Sequence, residues 1–268
     1  LTYLQRFLSI IISVLTIIPV YFLCKRFVDK KIAVIGAALF ILDPRIIINS
    51  LLGITEPAYI LLGTISLFLF LSKRFSIILI SFFTLALCSI IRYEGFLLFI
   101  PFVIIFFIRF RKDKKIIKKI FLIIGIFFLT ITPMMFAMYE ATGDEGIISP
   151  IFGGMNYVVA VGIQGELDMD DSNYDNDEGE GKLLIFMIVG LMNLLKYIGW
   201  VLIPTFLIFV PIGFFIIIKK RDFKTITIFL FGIIMLIPAF YAYGRGIEET
   251  RYLYMIFPIL CILASLMI

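Results

Sequence analysis

The chain has 268 residues, 62% of them hydrophobic and 16% charged, with a formal net charge of +5 and a mean hydropathy of +1.12. Soluble domains carry roughly 45–50% apolar residues, so this composition excludes one and defines a polytopic membrane protein. The chain contains no histidine, which excludes imidazole metal ligands and histidine general bases within it.

Apolar runs predict helices at Tyr3–Cys24, Ile32–Leu42, Pro57–Leu71, Phe75–Ile91, Phe96–Ile108, Ile120–Met138, Leu183–Leu195, Tyr197–Ile218, Ile226–Tyr243 and Tyr252–Ile268. A straight crossing needs about 20 residues. Ile32–Leu42 is too short, and is expected to run on through Asp43-Pro44-Arg45 into Ile46–Leu52 as a broken or interfacial helix. The three cysteines, Cys24, Cys88 and Cys261, lie in or beside separate apolar runs without metal-site or redox spacing. They read as small apolar packing residues. Leu1 opens almost inside one apolar run and Ile268 closes another, so both ends read as cut.

Orientation follows from the basic residues. Lys25–Lys31, Lys73–Arg74, Arg109–Lys119 and Lys219–Lys224 hold most of the 24 lysines and arginines. Placing these segments in the cytoplasm puts the Leu1 end outside and gives about nine spans. It also lays Leu183–Leu195 on the outer interface, because a full span there would turn Lys219–Lys224 outward. The acidic segment 139–182 becomes an extracytoplasmic loop. Asp43 and Arg45, Glu56, Arg92 and Glu94, and Glu248, Glu249 and Arg251 then gather at one face from separate connections. Two readings follow: a shared outer polar site, or unrelated interfacial anchors.

The pieces have their own chemistry. Glu56 precedes Pro57 at a helix start, where a carboxylate suits the positive end of the helix dipole. It is either a cap or a carboxylate that accepts a hydroxyl proton or binds a metal. Pro44 breaks the chain at Asp43, leaving either an internal Asp43–Arg45 pair or an Arg45 that faces an anionic head group. Arg92 and Arg251 each precede a tyrosine, Tyr93 and Tyr252. A planar guanidinium suits phosphate oxygens, and beside a membrane that phosphate belongs to a lipid; the plainer reading is an Arg–Tyr interfacial belt. Arg245, between Gly244 and Gly246, is a further candidate for close phosphate approach. The segment Glu166–Glu180 resembles a calcium loop in composition, but its spacing fails the EF-hand pattern, so a solvated loop is expected. Neither a Walker A motif, a GxGxxG fingerprint nor a nucleophile elbow occurs, and no nucleic-acid partner is expected.

Three stretches carry a family likeness: GITEPAYILL around Glu56, the span that ends in Arg92-Tyr93-Glu94-Gly95, and EETRYLYMIFPIL around Arg251. Together they resemble membrane glycosyltransferases of the GT-C fold, nearest to prokaryotic forms of the protein mannosyltransferase family 39 and aminoarabinose-transferase-like groups. The resemblance implies an all-α, polytopic transmembrane helical bundle forming a single domain over residues 1–268. It implies an enzyme that takes a sugar from a polyprenyl-phosphate carrier at the outer membrane face and passes it to a lipid, glycan or protein hydroxyl. In that reading Glu56 and Glu94 are the carboxylates for acceptor, metal or positioning. Arg92 and Arg251 meet the lipid phosphate, joined by Arg45 and Arg245, with Asp43, Glu249, Tyr93 and Tyr252 in support. No cofactor is certain, and a divalent metal is compatible with the carboxylates. The family's main acidic motif usually lies in the first outer loop, which would precede Leu1; the catalytic base would then lie there as well. The rival reading is a transporter or lipid flippase, and a third is a non-catalytic membrane scaffold. Against the transporter, the charges gather at a face and no internal repeat of spans is visible.

Overall fold

The computed structural model describes residues 2–163, 179–220 and 222–268. Those residues form helices and connections, with no strand among them. In chain order the helices are α1 (Thr2–Leu15), α2 (Ile17–Cys24), α3 (Lys30–Ile41), α4 (Pro44–Leu51), α5 (Glu56–Phe70) and α6 (Phe75–Ile91). A 3-10 turn over Tyr93–Leu98 leads into α7 (Phe99–Phe110), followed by α8 (Ile116–Thr142), α9 (Ile148–Ile163) and α10 (Gly179–Leu202). Then come α11 (Phe209–Ile218), α12 (Phe223–Gly244), a second 3-10 turn over Thr250–Ile256 and α13 (Phe257–Met267).

Six helical stretches among the described residues are long and apolar enough to cross a membrane, or seven if α3 and α4, bent by 50° at Leu42-Asp43, act as one broken span. The protein is therefore a multi-pass membrane protein. The broken helix expected through Asp43-Pro44-Arg45 is present. Asp43 leaves the helical region, its Oδ1 accepts the Arg45 backbone N–H at 2.9 Å, and Pro44 opens α4. Nine crossings would require the shorter apolar helices α5, α6 and α11 to take part. At 1.5 Å per residue α5 and α6 reach only about 22 and 26 Å, against a hydrocarbon core of about 30 Å.

Two expected boundaries differ. The run Leu183–Leu195 is not a separate interfacial segment. It lies in α10, which continues through Lys196 to Leu202, since lysine is a good helix former whose stem lies along apolar surface. The chain instead breaks at 203–208, ahead of α11, inside the run expected as one helix over Tyr197–Ile218. Segment 139–182 also contains more than a loop. It holds the end of α8 and the whole of α9, an apolar helix that the acidic composition downstream masked. The calcium-loop reading of Glu166–Glu180 lies largely outside the described residues.

The core is aromatic. Phe70 stacks on Phe102 with centroids 4.2 Å apart, and Phe99 on Phe127 at 4.1 Å, with Phe82 edge-on to Phe70, Phe99 and Phe102. These rings tie α5, α6, α7 and α8 together. Helix pairs in lipid gain little from apolar burial alone and depend on close packing. α11 and α13 achieve it at Gly213, where a Cβ would run into the Leu263 backbone carbonyl. Gly213→Ala is expected to cost about 1–3 kcal/mol by overpacking, read as a lower unfolding midpoint in vesicles. Gly125→Ala in α8, where a Cβ meets open space, is the neutral control.

Candidate functional site

The site is built where the start of α5, the end of α6 and the second 3-10 turn meet. α6 ends because Arg92 adopts an extended backbone (φ −146°, ψ 126°), which turns its side chain out of the helical path. The next residues close into a 3-10 turn, with the Gly95 N–H donating to the Arg92 carbonyl at 2.9 Å. Gly95 is required there: a Cβ would lie 3.0 Å from Cys88 C and from Ser89 N, both backbone atoms. The turn thus folds against the last turn of α6 and presents Arg92 and Glu94 to α5.

Arg92 then joins two carboxylates. Its Nη1 donates to Glu56 Oε1 at 2.7 Å, while Nη2 and Nε donate to Glu94 Oε1 and Oε2 at 2.8 and 3.2 Å. The two acids are 4% and 5% exposed. Glu56 is therefore not a helix cap. One of its oxygens binds Arg92, and the other, Oε2, is buried with no hydrogen-bond partner among the described residues. Two carboxylates against one guanidinium leave the triad one negative charge in excess. A buried charge of this kind is stable only while its partner stays in place.

The triad lines a narrow cleft with Tyr59, Ile60, Met235, Pro238, Arg251, Tyr252, Tyr254 and Met255. The interior space is about 20 Å³, room for about one water. Tyr59 lies one turn after Glu56 on the same face of α5, and its ring sits 5.7 Å from the Arg92 guanidinium; its hydroxyl reaches Met235 Sδ at 3.3 Å. Across the cleft, Arg251 is paired with Glu249 and rests 5.6 Å from the Tyr252 ring. Both members of that pair are close to half exposed, so the pair is worth about 0–1 kcal/mol.

The expected constellation is thus brought together in part. Glu56, Arg92, Glu94, Arg251 and Tyr252 line one cleft, with Glu249 at its rim through Arg251. Tyr93 is exposed beside it and lines none of it. Asp43 and Arg45 do not line it either, and they form no side-chain pair with each other: the Arg45 guanidinium donates to the Trp200 carbonyl in α10. Arg245 packs elsewhere, 4.8 Å from the Tyr157 ring and with Nη1 3.4 Å from the Tyr241 hydroxyl. Tyr59 and Tyr254 were missed by sequence reasoning. Tyr59 was visible in principle, being three residues after Glu56 on a predicted helix. Among the described residues no group of three or more Cys, Asp or Glu side chains is placed to hold a metal ion.

No protein-family model matches the sequence, and no curated protein matches it significantly. Among solved structures, the chain is similar to the crystal structure of the Archaeoglobus fulgidus oligosaccharyltransferase in the apo form, with a TM-score of 0.55 and 14% identity. It is also similar to the archaeal oligosaccharyltransferase AglB from Archaeoglobus fulgidus in complex with an inhibitory peptide and a dolichol-phosphate, with a TM-score of 0.53 and 15% identity. Each comparison covers 98% of this chain and 38% of the neighbour, so the chain spans well under half the length of either. The class is therefore defined by fold: a polytopic helical bundle of the GT-C type.

Proposed function

We propose that this chain is the membrane domain of a glycosyltransferase that takes a sugar from a polyprenyl-phosphate-linked donor at the outer membrane face and passes it to a lipid, glycan or protein acceptor. The observation that carries the reading is the buried Glu56–Arg92–Glu94 triad with a carboxylate oxygen to spare, opposite an arginine held by a weak exposed pair. On this reading Glu56 fills the role that the resemblance gave to an acidic residue ahead of Leu1, and takes the acceptor's proton through the oxygen that Arg92 leaves open. Arg251 exchanges Glu249 for the donor phosphate at little cost and stabilises the leaving charge. Arg92 is the positioning residue, because Glu94 and Glu56 already engage all three nitrogens of its guanidinium. This assigns to Arg251, rather than Arg92, the phosphate contact expected of both. The fold likeness to oligosaccharyltransferases, one of them solved with a dolichol-phosphate and a peptide, supports a lipid-linked donor without choosing the acceptor or the sugar. The carboxylates do not fix an ion, so a divalent metal stays outside this assignment.

The test uses the chain in sealed vesicles with radiolabelled polyprenyl-phosphate sugars. Label is expected to move into a covalent product, and Arg251→Gln is expected to raise the donor KM by about tenfold, the worth of one charge-assisted hydrogen bond. Donor carried across the vesicle without covalent transfer would overturn the reading and favour a transporter.

A further inference from the structure

A second charged cluster lies at the other end of α5, about 20 Å from Glu56 along the helix. Arg26 from the α2–α3 connection, Arg109 from the last turn of α7 and Lys224 from the first turn of α12 close a ring of contacts there. The Arg26 guanidinium packs 4.9 Å from the Phe68 ring in the last turn of α5. Arg109 donates from Nη1 to the Phe70 carbonyl at 3.2 Å and lies 4.2 Å from the Phe223 ring. Lys224, next in the chain, donates from Nζ to the Arg26 carbonyl at 3.0 Å. All three side chains are half-buried.

None of the three meets a carboxylate among the described residues. The acids of the neighbouring connections are engaged otherwise or turned outward. Asp113 pairs with Lys119, Asp222 caps α12 by accepting from the Thr225 N–H, and Asp29 is exposed at the start of α3. The ring receives partial compensation from the Phe70 carbonyl at the C-terminal end of α5, from the Arg26 carbonyl in the turn after α2, and from the Asp222 carboxylate, which feels the Lys224 charge. Three full positive charges against one carboxylate and two carbonyls leave the partly desolvated ring net positive. Mutual repulsion of this kind is relieved by a bound anion that accepts several N–H bonds at once.

We propose that Arg26, Arg109 and Lys224 form a binding site for a phosphate-bearing anion, separate from the Glu56–Arg92–Glu94 cleft. Tetrahedral phosphate oxygens match guanidinium and ammonium donors supplied by several side chains, and the rings of Phe68 and Phe223 pack against the Arg26 and Arg109 guanidiniums. The phosphate belongs to an anionic lipid headgroup or to a free ion. This inference does not rest on the glycosyl-transfer reading.

The chain is reconstituted in vesicles of phosphatidylcholine and of phosphatidylcholine with phosphatidylglycerol, and inorganic phosphate is titrated into the first. Native mass spectrometry counts the bound molecules, and the unfolding midpoint is followed in parallel. Phosphatidylglycerol or inorganic phosphate is expected to bind and raise the midpoint. Arg109→Gln and Lys224→Gln should each weaken that binding about tenfold, while Lys112→Gln with Lys114→Gln leaves it unchanged. A response to phosphatidylglycerol alone identifies a lipid headgroup, and an equal response to inorganic phosphate identifies a free ion. Unchanged binding in both ring variants would overturn the site. So would an equal loss in the Lys112, Lys114 variant, which would reduce the effect to diffuse surface charge, or no response to either anion. If Arg109→Gln fails to insert, Lys224→Gln alone decides.

Discussion

Arg92→Ala is expected to destabilise the protein by about 3–5 kcal/mol, because it strands two buried carboxylates that share this one cation. Glu56 and Glu94 keep their burial while losing three hydrogen bonds between them. The loss shows as a lower unfolding midpoint in vesicles, with helical content intact at low temperature. Adding Glu94→Gln to Arg92→Ala removes one stranded charge and should recover a large part of the loss. That recovery separates an electrostatic role from simple packing. A cost below about 1 kcal/mol would place the triad in the class of solvated surface pairs and remove the basis for a buried site.

Glu56→Gln is expected to lower the transfer rate by about 10²–10⁴, the usual contribution of a positioned general base. The substitution keeps the volume and an acceptor oxygen for Arg92 Nη1, so folding and donor affinity should change little. Glu94→Gln provides the contrast. Both Glu94 oxygens are bonded to Arg92, so its loss should loosen the triad and raise KM more than it lowers kcat. The opposite ranking in initial-rate measurements would exchange the roles of the two acids.

The sequence made the ends of the helices legible, and with them much of the cleft. Glu56 before Pro57, and Arg92 and Glu94 before Gly95, stood at helix boundaries that local chemistry dictates, and those boundaries are where the triad forms. What hydropathy did not supply was partnership. An apolar face reads alike whether it meets lipid or another helix, so the approach of α12 and of the second 3-10 turn to α5 was hidden, and Tyr59, Met235 and Tyr254 with it. Arg45 shows the same limit: its guanidinium reaches the Trp200 carbonyl, 155 residues away, where local reading offered only Asp43 or a head group. Composition also misled at α9, whose apolar residues were absorbed into the acidic character of the segment that follows.

The central claim is that the lipid-linked donor docks at the Arg251 rim of the Glu56–Arg92–Glu94 cleft. The most direct measurement is photo-crosslinking with a polyprenyl-phosphate sugar that carries a photoreactive group beside the phosphate, followed by peptide mapping. The account predicts crosslinks to the start of α5 around Tyr59 and to the second 3-10 turn around Arg251 and Tyr252, competed by unmodified donor. Crosslinks confined to other helices, or insensitive to competing donor, would contradict it.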